Sequence, residues 1–379
     1  MRYNPNGQMH HYLRAEISVG AIRHNIALIR NLLGNQTALC AVVKANAYGH
    51  GIEKVLGAIG AESDALAVVT AVEAVTLREL GWERPILLLC PVAAIEPSDL
   101  VDLIVDGVIL NLTSKDELPL LKQASDKAHR PAEVHISVDT GMTREGVRAD
   151  QAAELVNLTR QSDFVKLTGM YTHFACADEA DKSSTLQQFE LFMKTVDTIG
   201  GREGLVLHAA NSAATIDLPQ THLDMVRVGI AIYGYQPSDN LQNKLPLKPA
   251  LRLLGSVALI KDVPAGTSSG YGLTYTFDSP ARIALVPIGY ADGYPRSLSN
   301  IASVRIGGID CPVRGRVSMD QIVVEITDAE GVSIGDEVEI ISPDPQASNS
   351  VENLARLANT IPYEIVSRLG NRIERMIVD

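Results

Sequence analysis

Between residues 38 and 235 the chain alternates short apolar runs with longer helix-like stretches, and it does so eight times. The runs are ALCAVVKAN (38–46), ALAVVT (65–70), PILLLC (85–90), GVILNL (107–112), EVHISVD (133–139), KLTGMYTHF (166–174), LVLHAANS (205–212) and MVRVGIAIYG (225–234). Each is aliphatic or β-branched with little polar alternation, the pattern of parallel strands covered on both faces. The segments between them, such as AVEAVTLREL (71–80) and STLQQFELFMKTVDTIG (184–200), carry apolar residues at helical spacing. Eight strand–helix units in succession predict an α/β fold, a (β/α)8 barrel of the TIM type. An open doubly wound sheet is the alternative. No G-x-G-x-x-G follows the first run, which weakens its dinucleotide-binding form.

After about residue 245 the texture changes. LRLLGSVALIKDV, ARIALVPIGYADG, SVRIGGIDCPVRGRVSMDQIVVEITD and GDEVEIIS read as strands separated by Gly, Pro and Asp turns, and only SVENLARLAN (350–359) and YEIVSRL (363–369) look helical. The expected division is a barrel over 1–245 and a mostly-β domain over 246–379, joined through LQNKLPLKPA (241–250). Residues 10–20 are expected as a strand that joins the C-terminal domain.

The sequence holds 45 acidic against 33 basic residues, a formal net charge of −12. Without a dense Lys/Arg cluster, nucleic acid and anionic membranes are not expected partners. An anionic ligand must then be held by a few placed groups. Cys40, Cys90, Cys176 and Cys311 lie far apart with no C-x-x-C pair, the spacing of reduced core thiols. The start, MRYNPNGQMHHYLRAEIS, has no apolar stretch fit for export, and no segment reaches the roughly 18 apolar residues of a membrane span. A reducing cytoplasm is the expected compartment, and no metal site is expected.

Polar residues collect at one end of the barrel pattern. Lys44 ends the first run, Asp139 and Arg144 follow the fifth, and His173 closes the sixth. Asn211 and Ser212 close the seventh, and Arg227 lies inside the eighth. TIM barrels gather their chemistry at the carboxyl ends of the strands. A strand-end lysine can simply snorkel to water. In CAVVKANAYGHG, however, it precedes Tyr48 and two glycines, a setting for a close turn beside a ligand. A lysine in a dry pocket there has a depressed pKa and becomes a competent nucleophile. Ser212 and the Gly229–Ile230 amides fall where the loops after strands seven and eight build a phosphate site in this fold. Taken singly, Ser212 also reads as a helix N-cap and Gly229 as a packing glycine. Arg227 needs a partner once buried, whether Asp224, a core carbonyl or a ligand's ring nitrogen.

The segments VVKANAYGHG (42–51), DTGMTREG (139–146), YTHFACADE (171–179), HAANSAA (208–214), MVRVGIAIYG (225–234), GYGLTYTF (270–277), PIGYADGYPR (287–296), RGRVSMDQ (314–321) and TIPYE (360–364) resemble, in order and across essentially the whole chain, the alanine racemase family. The resemblance implies a (β/α)8 barrel followed by a β domain, and pyridoxal phosphate as cofactor. It implies interconversion of L- and D-alanine by two bases, supplying D-alanine for peptidoglycan. Lys44 would hold the cofactor and serve the D face, and Tyr271 the L face. Tyr48, Ser212, Gly229, Ile230 and Tyr363 would surround the phosphate, with Asn211 beside them. Arg227 would donate to the pyridine nitrogen, and His173 would support the ring and neighbour the catalytic tyrosine. Arg144 would reach the cofactor's phenolic oxygen and the substrate carboxylate. Tyr271 and Met319 would act in the partner's site, which implies a homodimer with composite sites. Tyr290 and Tyr363 resemble an inner access gate, and Asp178, Arg296 and Arg316 its outer layer.

Two departures stand out. Where the family often has a lysine, carbamylated in some members, this chain has Ser137. A halide or water in the space beside the short serine is the expected substitute for the missing negative charge near Arg144. Ser318 replaces a frequent cysteine. A phenol is a weak base at neutral pH, so positive charge from Arg227 and His173 is expected to assist Tyr271. A serine or broad-specificity racemase would use the same scaffold. A barrel decarboxylase would place a carboxylate at the pyridine nitrogen, against Arg227, and a non-catalytic carrier would not need the β domain.

Overall fold

The computed structural model describes residues 12–379. The chain divides into two compact units, Arg23–Asn46 with Leu56–Leu247, and residues 12–22 with Ala47–Val55 and Lys248–Asp379. Residues 12–22, where a strand is expected to join the C-terminal part, group with it, and so does the short piece Ala47–Val55, which a single cut near 245 does not separate.

In the first unit the ring strands run Ala38–Val42, Ala65–Val68, Ile86–Pro91, Ile109–Leu112, Ala132–Asp139, Val165–Tyr171, Val206–His208 and Met225–Val228, eight in all, and the short Val147–Arg148 adds beside Ala132–Asp139. All neighbouring pairs are parallel. The ring closes because Met225–Val228 pairs with Ala38–Val42, with Arg227 opposite Cys40. The open-sheet alternative is thereby excluded. Ala65–Val68 and Met225–Val228 are buried at every position, as strands covered on both faces require. The strands stop earlier than the apolar runs. LVLHAANS leaves the sheet after His208, and IAIY forms a 3-10 turn over Ile230–Tyr233. Apolar composition marks burial, not strand, so it carries on past the last ladder hydrogen bond. All four cysteines are free.

In the second unit a six-stranded sheet is ordered Ile309–Pro312, Ser303–Ile306, Glu337–Ile341, Leu251–Ser256, Arg14–Ile17, Glu374–Ile377. Arg14–Ile17 pairs antiparallel with Leu251–Ser256 and parallel with Glu374–Ile377. Residues 10 and 11 of the expected N-terminal strand lie outside the described residues. A three-stranded sheet joins Leu259–Val263, Ala281–Val286 and Ile322–Glu325. Ser303–Ile306 and Ile322–Glu325 alternate in burial, as strands with one wet face do. Ser268–Ser269 and Tyr275–Thr276 form a small hairpin that the sequence pattern does not announce. Helices Val351–Leu357 and Pro362–Ser367 fall in the two expected places.

Candidate active site

Lys44 stands two residues beyond the first barrel strand and is half-buried. The chain then makes a left-handed turn, with φ of 52° at Ala45, 55° at Asn46, 54° at Ala47 and 52° at Tyr48. Left-handed helix costs an L-residue about 1–2 kcal/mol, so other contacts must fix this turn. Glu73 is one: its Oε1 accepts from the Ala45 amide at 2.6 Å, and its Oε2 from Val69 and Thr70 at 3.0 and 3.1 Å. His50 is another, its Nδ1 lying 3.0 Å from the Ala47 carbonyl and 2.9 Å from that of Tyr48. Burial pulls the Lys44 pKa below its ordinary value, and Arg144 pulls the same way, while Glu145 and Glu73 oppose. A desolvated amine of this kind gives up its proton more readily than an exposed lysine, as a nucleophile or base needs to.

Across the same strand ends Arg227 is 4% exposed and tightly held. One Nη lies 2.7 Å from His208 Nδ1. The other donates to the carbonyls of Thr172 at 2.8 Å and Ala209 at 3.3 Å, and lies 3.3 Å from His173 Nδ1. Its guanidinium covers the Tyr171 ring at 4.9 Å, and that ring stacks on His208 at 4.8 Å. Asp224, one of the expected partners, is instead paired with Arg202 and accepts from the Leu207 amide at 2.9 Å.

A guanidinium only donates, so the facing nitrogens of His208 and His173 must accept and their protons sit on Nε2. His208 Nε2 therefore donates to His135 Nδ1 at 2.8 Å. Burial first, then Arg227, Arg144 and Lys44, push His173 down to about 3. The expectation of charge from His173 is thus corrected. This imidazole is neutral with its proton on Nε2, and the positive charge is that of Arg227.

Asn211, rather than Ser212, caps the helix Ser212–Asp217, its Oδ1 accepting from the Ala214 amide at 3.1 Å. Ser212 Oγ is left to accept from the Gly229 amide at 2.9 Å. The groups expected after strands seven and eight are thus in one corner, with Ile230 buried next in sequence. After the fifth strand Asp139 Oδ1 accepts from the amides of Gly141 and Thr143, each at 3.0 Å, and shapes the loop that carries Arg144. Arg144 pairs with Glu145 at 3.1 Å. Asp178 lies in this unit too, half-buried beyond the sixth strand.

The second unit holds the remaining candidates. The Tyr48 and Tyr363 rings are 6.1 Å apart. Tyr290 and Met319 come together because the amides of Tyr290 and Ala291 donate to the carbonyls of Ser318 and Met319 at 3.1 and 3.0 Å. Tyr271 opens the turn Tyr271–Leu273 of the small hairpin and is 71% exposed; Met319 is 53% exposed. The turn rests on Arg316: Gly272, at φ +72°, would place a Cβ 2.8 Å from the Arg316 guanidinium. Arg314 over the Tyr275 ring at 4.4 Å, and Ser269 donating to the Arg314 carbonyl at 2.9 Å, hold its base. Arg296 is exposed on the neighbouring 3-10 turn Arg296–Leu298.

Sequence reasoning missed His208, His135, Tyr171, Glu73 and Glu145. Two left a signal: His135 stands in an otherwise apolar run, and Thr70 to Glu73 has capping-box spacing. These features define a (β/α)8-barrel enzyme with its polar groups at the carboxyl ends of the strands.

The family descriptions "Alanine racemase, N-terminal domain" and "Alanine racemase, C-terminal domain" match residues 17–237 and 250–377. The alanine racemase of Halothermothrix orenii is 39% identical over 365 residues, 95% of each chain. The structure of alanine racemase from D-cycloserine-producing Streptomyces lavendulae superposes with a TM-score of 0.91 at 36% identity, covering 98% of both chains. That of Bacillus anthracis alanine racemase with bound L-Ala-P gives 0.89 at 32% identity, covering 98% of this chain and 96% of the other. The chain belongs to the alanine racemase family.

Proposed function

We propose that this chain interconverts L- and D-alanine with pyridoxal phosphate held on Lys44, furnishing D-alanine for cell-wall peptidoglycan. The observation that carries the reading is a half-buried lysine with a depressed pKa at the same strand ends as a buried, fully oriented arginine. The donor set fits that cofactor. There is an amine for its aldehyde, the Ser212 hydroxyl, fixed by the Gly229 amide, to donate to its phosphate, and Arg227 for its ring nitrogen. Pyridoxal phosphate there supplies the electron sink that lets an α-proton leave.

The chain's own groups do the rest. Arg227 keeps its proton, so a ring nitrogen facing it stays largely unprotonated, which restrains side reactions. Lys44 takes or returns the proton on one face. The phenol of Tyr271 does so on the other, and neutral His173 would donate its Nε2–H to the phenolate. A side chain 71% exposed is poorly placed to act alone. Its exposure, with that of Met319, supports a homodimer in which each site borrows both residues from the other copy. Arg144 would meet the substrate carboxylate, and Tyr48, Asn211, Ile230 and Tyr363 would complete the cofactor pocket. Tyr290, Asp178, Arg296 and Arg316 would form the access path.

The test is borohydride reduction of the purified protein, peptide mapping of the modified lysine, and racemisation assays across amino acids. Modification at Lys44 and a clear preference for alanine over serine are expected. Modification at another lysine sinks the site, and equal rates on serine sink the specificity.

A further inference from the structure

We propose that Glu145 is the built-in counter-charge that aims Arg144. It acts as a positioning residue, so this chain needs no small anion for that purpose. The inference rests on the reading that Arg144 meets the substrate carboxylate. Arg144 is 53% exposed on its side chain, but the carboxylate beside it, 3.1 Å away, is only 22% exposed. The backbone beside it is closely packed. Gly146 sits at φ +104°, and a Cβ there would lie 2.9 Å from the Asp139 amide and 3.0 Å from both the carbonyl and the hydroxyl of Ser137. The chain after Glu145 is thus laid directly on Ser137, the position where a longer side chain would have had to pass.

Glu145 also acts electrostatically on Lys44, Cys90, Tyr171 and Arg227, which stand on or just beyond four different strands. The nearby carboxylates are otherwise committed. Glu73 gives both oxygens to the amides of Ala45, Val69 and Thr70, and Asp139 shapes its own loop. An exposed pair between sequence neighbours would be worth little. Here the acid is mostly buried and faces cations that outnumber it, so one fixed charge both orients Arg144 and offsets the depression of Lys44.

The experiment compares wild type, Glu145→Gln and Glu145→Asp as holoenzymes, in chloride-free buffer and with about 100 mM chloride at matched ionic strength. In chloride-free buffer Glu145→Gln should lose about tenfold in kcat/KM for L-alanine, mostly through KM, as expected for one charge-assisted hydrogen bond. Chloride should restore part of that loss and raise the melting temperature of the variant, with neither effect in wild type. Glu145→Asp should behave nearer to wild type. The proposal is overturned if Glu145→Gln matches wild type without chloride, or if wild type itself loses activity when chloride is removed. The second outcome would point to a bound halide beside Ser137, and it requires no variant to fold. Modification of a lysine other than Lys44 would instead overturn the underlying site, and peptide mapping distinguishes the two failures.

Discussion

The barrel mouth and the hairpin bearing Tyr271 are built on opposite principles. Around Arg227 the polar atoms are buried, with two guanidinium nitrogens meeting four acceptors. Around Tyr271 the scaffold is a hairpin with two-residue strands, propped by Arg316 and Arg314, and its phenol stands in solvent. Buried networks of the first kind are costly to leave half-made, so folding alone fixes their geometry. The second kind is ordered enough to present a side chain but buries nothing by itself. On the proposed reading, one half of the chemistry is finished when the chain folds, and the other only when two chains meet.

The largest expected effects test that division directly. Lys44→Ala should cost roughly 10⁴-fold or more in racemisation, and Tyr271→Phe a loss within the 10²–10⁴ range of a single acid–base group. Loss of the phenol should fall selectively on solvent-deuterium exchange into L-alanine. Because Tyr271 is 71% exposed, its variant should melt as wild type does, within about 0.5 kcal/mol. The two inactive proteins, exchanged into mixed dimers, should recover about a quarter of wild-type activity. Half of the dimers are then mixed, and one of their two sites is whole. No recovery after proven subunit exchange would break the comparison, since both halves would then belong to one chain.

Arg227→Glu probes the finished half. A carboxylate there meets the Thr172 and Ala209 carbonyls as acceptor against acceptor. A loss of about 3 kcal/mol of stability is expected from chemical denaturation. In the fraction that folds, transamination should rise relative to racemisation, because a carboxylate favours a protonated ring nitrogen. An unaltered ratio would remove Arg227 from the electronic argument and leave it as packing.

How much of this could be read from residues alone follows the same line. The eight apolar runs revealed the barrel because burial on both faces leaves a one-dimensional trace, and Lys44, His173 and Arg227 were visible as polar exceptions within it. The satisfying partners were not visible. Nothing in HAANSAA says that His208 receives Arg227 rather than a metal or water, because that hydrogen bond is closed by barrel curvature between residues 19 apart. Likewise DTGMTREG displays Glu145 without showing that Gly146 lies on Ser137 and that the acid is mostly buried. The hairpin carrying Tyr271 escaped notice because two-residue strands leave no periodicity.

Acid should separate the two regions by a smaller margin. His135 and His173 are held near 3 and His50 near 4, with His208 well below and His222 below their common value. Burial is the leading cause in each. The unfolded chain binds these protons near pH 6.5 and the folded chain does not. Stability is therefore fully present above about pH 6.5, and each histidine removes up to about 1.4 kcal/mol per pH unit as the pH falls toward its folded value. Four of the five lie in the barrel unit. Hydrogen exchange at pH 5 should open the barrel before the β unit, and His135→Gln should flatten the slope. Equal opening of the two units would place the acid-labile groups elsewhere.

The smallest effect concerns the left-handed turn after Lys44. Ala45 is exposed, yet its φ of 52° carries strain. Glycine relieves about 1–2 kcal/mol of that strain and gives back about 0.5–1 kcal/mol in unfolded-chain entropy, so Ala45→Gly should stabilise by about 0.5 kcal/mol. If the strain serves to hold the amine of Lys44 in place, the same variant should be slower despite being more stable, with kcat falling while the denaturation midpoint rises. A gain in both would show that Glu73 and the buried mouth already fix the lysine, and that the turn's handedness is only the route by which the chain leaves the strand.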